Sequence, residues 1–349
     1  MSVLTYKCPN CDAELTFRPE SQSFACDYCG SHFTQQEIEK PIPEQGSRTE
    51  QESWEQEDRE EALSYRCPSC GAQLLTTGTT AATHCYYCHN PVALEGRISG
   101  RWKPNLIIPF SIGEKQAKER FLRWSQKNPF VDRRFFSESQ LEKMSGVYFP
   151  FWLANSQSHL SATATAHKTR IWRAGDIEYT ETSIYELTRE GELRIKNYDL
   201  SALHRQETAL LEGILTYDYD QAKPFSPSYL SGFQAERRDQ EKEDMVPRLI
   251  DERRRDAELL LRDSVSGFQN VSIKNCELTF VSEDWKYLLL PAWILTYQYG
   301  GKQYYFAMNG QNGDINGALP ISGKRIAALF GIVSGISLVL LTLGGYFLW

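Results

Sequence analysis

Apolar residues recur at helical spacing at several places in the chain. A capping box at 111–114 precedes Ala117, Phe121 and Trp124, and a second at 137–140 precedes Leu141 and Met144, with Gly146 as a stop. Two short helices are therefore predicted. The densely charged stretch 234–263 has the same spacing and predicts an amphipathic helical insertion, which packs on its own domain, binds a partner or is mobile. Pro247 is expected to break or start that helix.

Other stretches alternate between apolar and polar residues with a period of two. One runs through 177–198 and predicts a hairpin with its turn at 189–192. A second hairpin turn is predicted at 309–314, where the sequence is Asn-Gly-Gln-Asn-Gly-Asp. The motifs at 150–152 (Pro-Phe-Trp) and 291–293 (Pro-Ala-Trp) each precede strand-like sequence, which suggests two related halves.

The last 24 residues, 326–349, contain no charged side chain. A helix rises about 1.5 Å per residue, so this stretch spans about 36 Å, enough to cross a hydrocarbon layer of about 30 Å. Lys324 and Arg325 precede it, and Tyr346 and Trp349 close it, as expected for a basic cytosolic flank and an aromatic far interface. A single-pass tail anchor in the cell membrane is predicted, with the N-terminal bulk in the cytoplasm.

Eight of the nine cysteines belong to a duplicated module, whose copies are offset by 59 residues. In each copy two Cys-x-x-Cys pairs are separated by 14 residues. This spacing is typical of a zinc ribbon, in which four thiolates surround one ion as a tetrahedron. We predict two structural zinc ions, one bound by Cys8, Cys11, Cys26 and Cys29 and one by Cys67, Cys70, Cys85 and Cys88.

Other interpretations of these cysteines stay open. Two disulfides per module would need an oxidising compartment, and iron could occupy the same sulfur geometry. His32, His84 and His89 lie beside the pairs and are expected to be bystanders, and the ninth cysteine, Cys276, is expected to be a buried apolar residue. Four protein ligands leave no open position for an activated water, and no other catalytic motif is present, so no enzyme is predicted.

Charge argues against nucleic acid as the main partner. The formal net charge is -7, and the first module carries more acids than bases. The segment 35–63 has ten acidic residues and is predicted to be a flexible acidic linker. The N-terminus reaches Cys8 too soon for a signal peptide.

These patterns predict an α+β chain with two small β ribbons, a mixed and mostly antiparallel β-rich domain with short helices, and one transmembrane helix. The expected domains are a first zinc ribbon (1–34), the linker (35–63), a second zinc ribbon (64–98), a cytosolic α+β domain (99–322) and the anchor (323–349).

The chain resembles a bacterial family of TFIIB-type zinc-ribbon-containing membrane proteins, frequent in Firmicutes. The resemblance rests on the Cys-Pro-x-Cys ribbons, the two Pro-x-Trp motifs, the segment 304–313 and the terminal span. Members are often labelled as a replication-restart helicase, but this chain has no phosphate-binding loop of the required spacing. The resemblance implies a membrane-stress setting with SPFH-type or phage-shock-type membrane proteins as partners.

The function predicted from the sequence is a membrane-anchored adaptor or scaffold that binds proteins through two structural zinc ribbons. The alternative is a nucleic-acid-binding zinc-ribbon protein at the membrane. Gly331 and Gly335 form a small-xxx-small face through which the anchor could self-associate.

Overall fold

The computed structural model describes residues 3–39, 63–66, 73–76, 79–84, 91–94, 97–131, 144–204, 208–299 and 301–348. Its architecture is α+β, with a large mixed sheet and few helices, as the sequence predicts. The second predicted helix, beginning at Ser137, falls on 132–143 and lies outside the described residues, as does most of the acidic linker.

The first cysteine module is a small antiparallel sheet followed by one helical turn. A short strand, β1, precedes it and belongs to the large sheet. Thr34 and Glu37 form a capping box that fixes the start of the helix. The elements are β1 (Val3–Leu4), β2 (Leu15–Arg18), β3 (Ser23–Cys26), β4 (His32–Phe33) and α1 (Gln35–Ile38).

The second module contributes strands to the large sheet. Strands β5 (Leu63–Arg66) and β6 (Gln73–Thr76) pair with each other, while β7 (Thr80–His84) and β8 (Pro91–Leu94) form a hairpin. In addition, β8 pairs with β1 through Leu4 and Ala93. The two modules are therefore joined by backbone pairing.

The rest of the chain completes the sheet, which has 11 strands among the described residues. Its helices pack on the sheet, apart from the terminal one. In chain order the elements are β9 (Leu106–Ile107), α2 (Glu114–Gln126), β10 (Ser145–Ala174), β11 (Ile177–Ser201), α3 (Thr208–Glu212), β12 (Lys223–Pro224), β13 (Gln234–Glu236), α4 (Lys242–Ser264), β14 (Gln269–Tyr299), β15 (Lys302–Asn309), β16 (Ile315–Gly317) and α5 (Gly323–Leu348). Short 3-10 turns lie at Gly100–Trp102, Tyr219–Gln221 and Pro227–Leu230.

Two halves of this domain have the same order of elements, strand, helix and hairpin. The first is β9, α2, β10 and β11, and the second is β13, α4, β14 and β15. Strands β10 and β14 pair antiparallel about the position where Phe149 faces Leu290. Each half's first strand pairs in parallel with the other half's long strand, β13 with β10 and β9 with β14.

Matching hydrogen bonds repeat in the two halves. The indole nitrogen of Trp152 donates to Gln240 O at 3.0 Å, and that of Trp293 donates to Ile112 O at 2.9 Å. After each hairpin a backbone N–H returns to the proline carbonyl, from Ala202 to Pro150 and from Gly310 to Pro291. The relation suggested by the two Pro-x-Trp motifs is thus present in the structure.

The two halves differ in the length of their hairpins. Strand β11 has 25 residues, whereas its counterpart β15 has 8. Strands β11, β10 and β14 extend together as a three-stranded projection, which we call the arm. The predicted turn at 189–192 is wrong, because β11 runs unbroken through it and Gly191 pairs with Leu160. The hairpin instead turns at Gly175, whose φ of 64° suits glycine.

Helix α4 packs along one face of the arm. Its buried residues recur every fourth position, as Met245, Leu249, Arg253, Ala257 and Leu261. Small side chains of β10 lie beneath its second half, with Leu261 against Ala162 and Ala164. The helix runs through Pro247, so the predicted break there is wrong. Burial of this apolar face outweighs the one backbone hydrogen bond that proline cannot donate.

Helix α2 forms where it is predicted, but it begins two residues later than the capping box suggests. Gly113 is its N-cap and provides no side-chain hydrogen bond. The turn predicted at 309–314 is confirmed between β15 and β16. Helix α5 is long and apolar enough to span a membrane: within Gly323–Leu343 an 18-residue window has a mean hydropathy of 2.5, and none of that window is buried against the rest of the described chain.

Candidate metal centre

Two backbone turns of the same design carry the first four cysteines. In the first, Asp12 N–H donates to Cys8 O at 2.9 Å and Cys8 N–H donates to Ala13 O at 2.6 Å. In the second, Gly30 N–H donates to Cys26 O and Cys26 N–H donates to Ser31 O, both at 2.9 Å. The residue after the second cysteine has positive φ in both turns, 60° at Asp12 and 71° at Gly30. These turns aim two thiols each toward a common point.

The four sulfur atoms converge. The Sγ atoms of Cys8 and Cys29 are 3.6 Å apart, those of Cys11 and Cys26 are 3.5 Å apart, and all four lie within 4.8 Å of one another. A tetrahedral ion with Zn–S bonds of about 2.3 Å separates its sulfur ligands by about 3.8 Å. The observed spacing is therefore close to that of a four-thiolate metal site, and this cluster could bind a metal ion.

The pKa values of two of the thiols, Cys29 and Cys11, are shifted in opposite directions. Hydrogen bonding with Ser31 lowers the pKa of Cys29 to about 6. The backbone hydrogen bond with Ala13 lowers the pKa of Cys11, but desolvation and the thiols of Cys26, Cys29 and Cys8 outweigh it and raise the value to about 12. Cys29 therefore ionises readily, whereas the neighbouring thiol of Cys11 resists ionisation. A bound cation would stabilise both sulfurs as thiolates.

Neighbouring contacts hold the two turns together. Asn10 Nδ2 donates to Ser31 Oγ at 2.9 Å, and Arg18 pairs with Asp27. His32 is not among the converging groups and lies with Nδ1 3.4 Å from Ser23 Oγ. The Tyr28 side chain, between Cys26 and Cys29 in the chain, is 85% exposed. The site is therefore closed by four sulfurs and has an exposed aromatic at its rim.

The first cysteine module packs against loops of the domain that carries the large sheet. Phe17 N–H donates to Ser231 O at 3.0 Å, and Gln22 Nε2 donates to Phe110 O at 2.7 Å. The ring of Phe17 contacts Tyr229 at 5.3 Å and Phe233 at 6.5 Å. Sequence reasoning did not assign these docking residues. The alternation of Leu15 and Phe17 marks a buried face, but nothing local identifies the surface that covers it.

The second predicted metal site falls on residues that the structure does not describe. Cys67, Cys70, Cys85 and Cys88 lie outside the described residues, as does His89, so a second ion stays a prediction. Their flanking strands keep part of the register of the first module: Arg66 pairs with Gln73, as Lys7 pairs with Glu14 at the offset of 59. Cys276 lies on β14, away from the cluster, and is only partly buried.

The protein combines a four-cysteine cluster that could bind a metal ion, an α+β fold and one helix long and apolar enough to span a membrane. Over 350 aligned residues the chain is 30% identical to a Bacillus subtilis (strain 168) protein described as uncharacterized protein YdjG, covering 99% of this chain and all of that one. The chain belongs to the same family as YdjG. No model of a known protein family matches the chain. No solved structure matches it either.

Proposed function

We propose that this chain is a membrane-anchored adaptor whose cysteine modules hold structural zinc and bind protein partners on the cytosolic side. The observation that carries the proposal is the closed four-sulfur site with an exposed aromatic rim. Zinc with four protein ligands has no position left for water or substrate, which favours a structural role over a hydrolytic one. A rigid module that presents Tyr28 to solvent suits recognition of another protein, because aromatic side chains dominate the energetics of such contacts.

The contacts at the start of α5 support anchoring. Arg325 donates to Pro129 O at 3.0 Å and to Val131 O at 2.6 Å, and Ser322 N–H donates to Phe130 O at 2.9 Å. These bonds hold the first turn of the apolar helix against the folded domain. The basic flank formed by Lys324 and Arg325 supports a cytosolic position for the domain, where thiols stay reduced and available to zinc.

The proposed partners are SPFH-type or phage-shock-type membrane proteins, as the family resemblance implies. Removing the whole N-terminal region would also remove β1, β7 and β8 from the large sheet, so a surface substitution gives a cleaner test. Tyr28→Ala should abolish recovery of such a protein after crosslinking in cells and affinity capture of the full-length chain. Tyr305→Ala, which alters another exposed tyrosine, is the matched control and should leave recovery unchanged. If the partner were recovered equally well with both variants, the module would not be the part of the chain that recruits it.

Nucleic-acid binding is the competing function. Residues 3–39 carry Lys7 and Arg18 against six acids, Asp12, Glu14, Glu20, Asp27, Glu37 and Glu39, a balance that repels phosphate. A low-salt gel shift with DNA and RNA decides the matter, since phosphate contacts are strongest there. Binding under those conditions, lost in a Lys7→Glu/Arg18→Glu variant, would favour the competing function.

A further inference from the structure

The far end of the arm is a two-stranded hairpin, which contacts Phe268 through Tyr185 at its base and is exposed from 170 to 182. Strand β14 begins at Gln269, opposite His167, and beyond that level only β10 and β11 continue. We call residues 168–185 the tip. An isolated two-stranded hairpin is marginally stable in water. A contiguous exposed apolar patch on such a hairpin marks an interaction site.

One face of the tip is apolar and aromatic. Trp172 stacks on Tyr179 with ring centroids 5.6 Å apart and planes 13° apart, and Arg170 lies over the Trp172 ring at 5.6 Å. Trp172 is 42%, Tyr179 43% and Ile177 59% exposed. Helix α4 covers the same face lower down, where Leu261 packs on Ala164, but it ends at Ser264.

The charges of the tip balance, although those of the chain do not. Lys168, Arg170 and Arg173 balance Asp176, Glu178 and Glu181 in number, so the tip is neutral in a chain of net charge -7. Arg170 lies directly across the hairpin from Glu181. A surface that carries both signs at the same level is complementary to a second copy of itself.

The anchor begins at the opposite end of the sheet. Strand β16 pairs with β15 at Phe306 and Met308, which are level with Leu295 and Trp293 of β14 and hence with the start of β10. Strand β10 has 30 residues, which at about 3.3 Å each gives a strand about 100 Å long. Two copies anchored in one bilayer are related by a rotation axis along the bilayer normal. Arms that extend along this normal therefore hold their tips at the same distance from the membrane.

We propose that the tips of two copies pack on each other through the Trp172 face, about a two-fold axis that runs along the arm; this rests on the membrane anchoring proposed above. Such an axis places β10 of one copy over β11 of the other. Each residue then meets its own cross-strand partner from the second copy, Trp172 against Tyr179 and Arg170 against Glu181. Seven residues of β10, 168–174, extend beyond the end of α4, a length of about 23 Å. Because β-strands twist, this length allows the tip to bend past the end of the helix and reach the second copy.

The experiment uses the full-length chain in phosphatidylcholine vesicles, with a photocrosslinking amino acid in place of Trp172. The matched control has it in place of Glu192, an exposed residue midway along β11. We expect a crosslinked species of twice the chain mass from position 172 and none from position 192. Crosslinking at both positions, at neither, or from 172 to lipid alone overturns the proposal.

Charge reversal separates tip pairing from pairing through the anchor. Arg170→Glu or Glu181→Arg alone should lower the crosslink yield about tenfold, because each places like charges opposite each other twice in the pair, and the double variant should restore it. Unchanged yield with the single reversals, combined with loss in Gly331→Ile/Gly335→Ile, would assign association to the anchor and overturn the proposal. A chain that fails to float with the vesicles overturns the proposed function as well, whereas one that floats without the crosslink overturns only this inference.

Discussion

The first cysteine module and the arm are stabilised in different ways. The module has a small core, with Leu15, Phe17, Phe24 and Cys26 buried, and depends on converging sulfurs and on docking against the sheet. The arm has almost no core of its own, but its strands are paired along their length, and α4 covers small side chains on one face. A module of this size commonly needs a metal, whereas a three-stranded projection needs backbone pairing and a covering helix. The two regions should therefore fail under different perturbations.

Loss of a metal ligand gives the largest expected effect. Structural zinc contributes about 10–16 kcal/mol to the folding of small zinc domains, so Cys11→Ser or Cys26→Ser should unfold the first module. Amide hydrogen exchange should show β2 and β3 losing protection while β10 and β11 keep theirs. The control Cys276→Ser should retain both the metal and the protection of β2 and β3. Equal loss of protection in the arm would break the comparison, because it would make the two regions one folding unit.

Truncation of Leu261, a residue of α4 that packs on the arm, should destabilise the arm and leave the first cysteine module intact. Leu261 is 3% exposed and packs on Ala162 and Ala164, so Leu261→Ala should lower the free energy of unfolding by about 2–5 kcal/mol. Exchange should increase in β10 and β11, with the metal content unchanged. Leu260 is 51% exposed, and Leu260→Ala should alter stability by no more than about 0.5 kcal/mol. A similar loss in both variants would mean that α4 does not cover the arm.

Substitution of one glycine in each region tests the same comparison with a smaller expected loss of stability. Gly30 in the second cysteine turn and Gly175 in the arm's turn have φ values of 71° and 64°, and an added Cβ would meet no atom within 4 Å at either place. Alanine should cost about 1–2 kcal/mol at each position for backbone reasons alone. Only Gly30→Ala should also weaken metal affinity, as measured by competition with a chelator. If Gly175→Ala weakened metal affinity equally, the two regions would be coupled.

Acid titration of the base of the arm has the smallest expected effect. Partial burial raises the pKa of Glu252, but hydrogen bonds from Tyr198 and Arg248 outweigh it and hold the pKa below its usual range. Because the folded value is depressed, the stabilisation is present above the unfolded pKa of about 4.3 and is lost as pH falls through the folded value.

Tyr198→Phe should reduce that acid-sensitive part of the stability by about 1 kcal/mol or less. The measurement is the free energy of unfolding at pH 6 and at lower pH values that extend below the folded pKa of Glu252, in the variant and in the native chain, whose cysteine sites are identical. Equal pH dependence in the two proteins would remove Glu252 from the account of the arm.

Local chemistry made part of this structure predictable. The turn at 309–314 follows from its Asn-Gly steps, α2 and α4 follow from apolar spacing, and the convergence of Cys8, Cys11, Cys26 and Cys29 follows from their spacing. Each of these is decided within one continuous stretch of the chain.

Long-range pairing was not predictable in the same way. The sequence predicts a turn at 189–192, because Gly191 and its charged neighbours are typical of a turn, yet pairing with β10 continues the strand through these residues, and the hairpin turns at Gly175. The Pro247 error has the same origin, since burial against the sheet overrides a local preference. The pairing of β1 with β8, which joins the two modules, has no local signal at all.

The most direct test of the central claim is the metal content of the purified full-length chain, measured by elemental analysis beside a Cys8→Ser/Cys11→Ser variant. The account predicts two zinc ions per chain in the native protein and one in the variant. A native chain that holds no zinc, or a variant that keeps both ions, would contradict it.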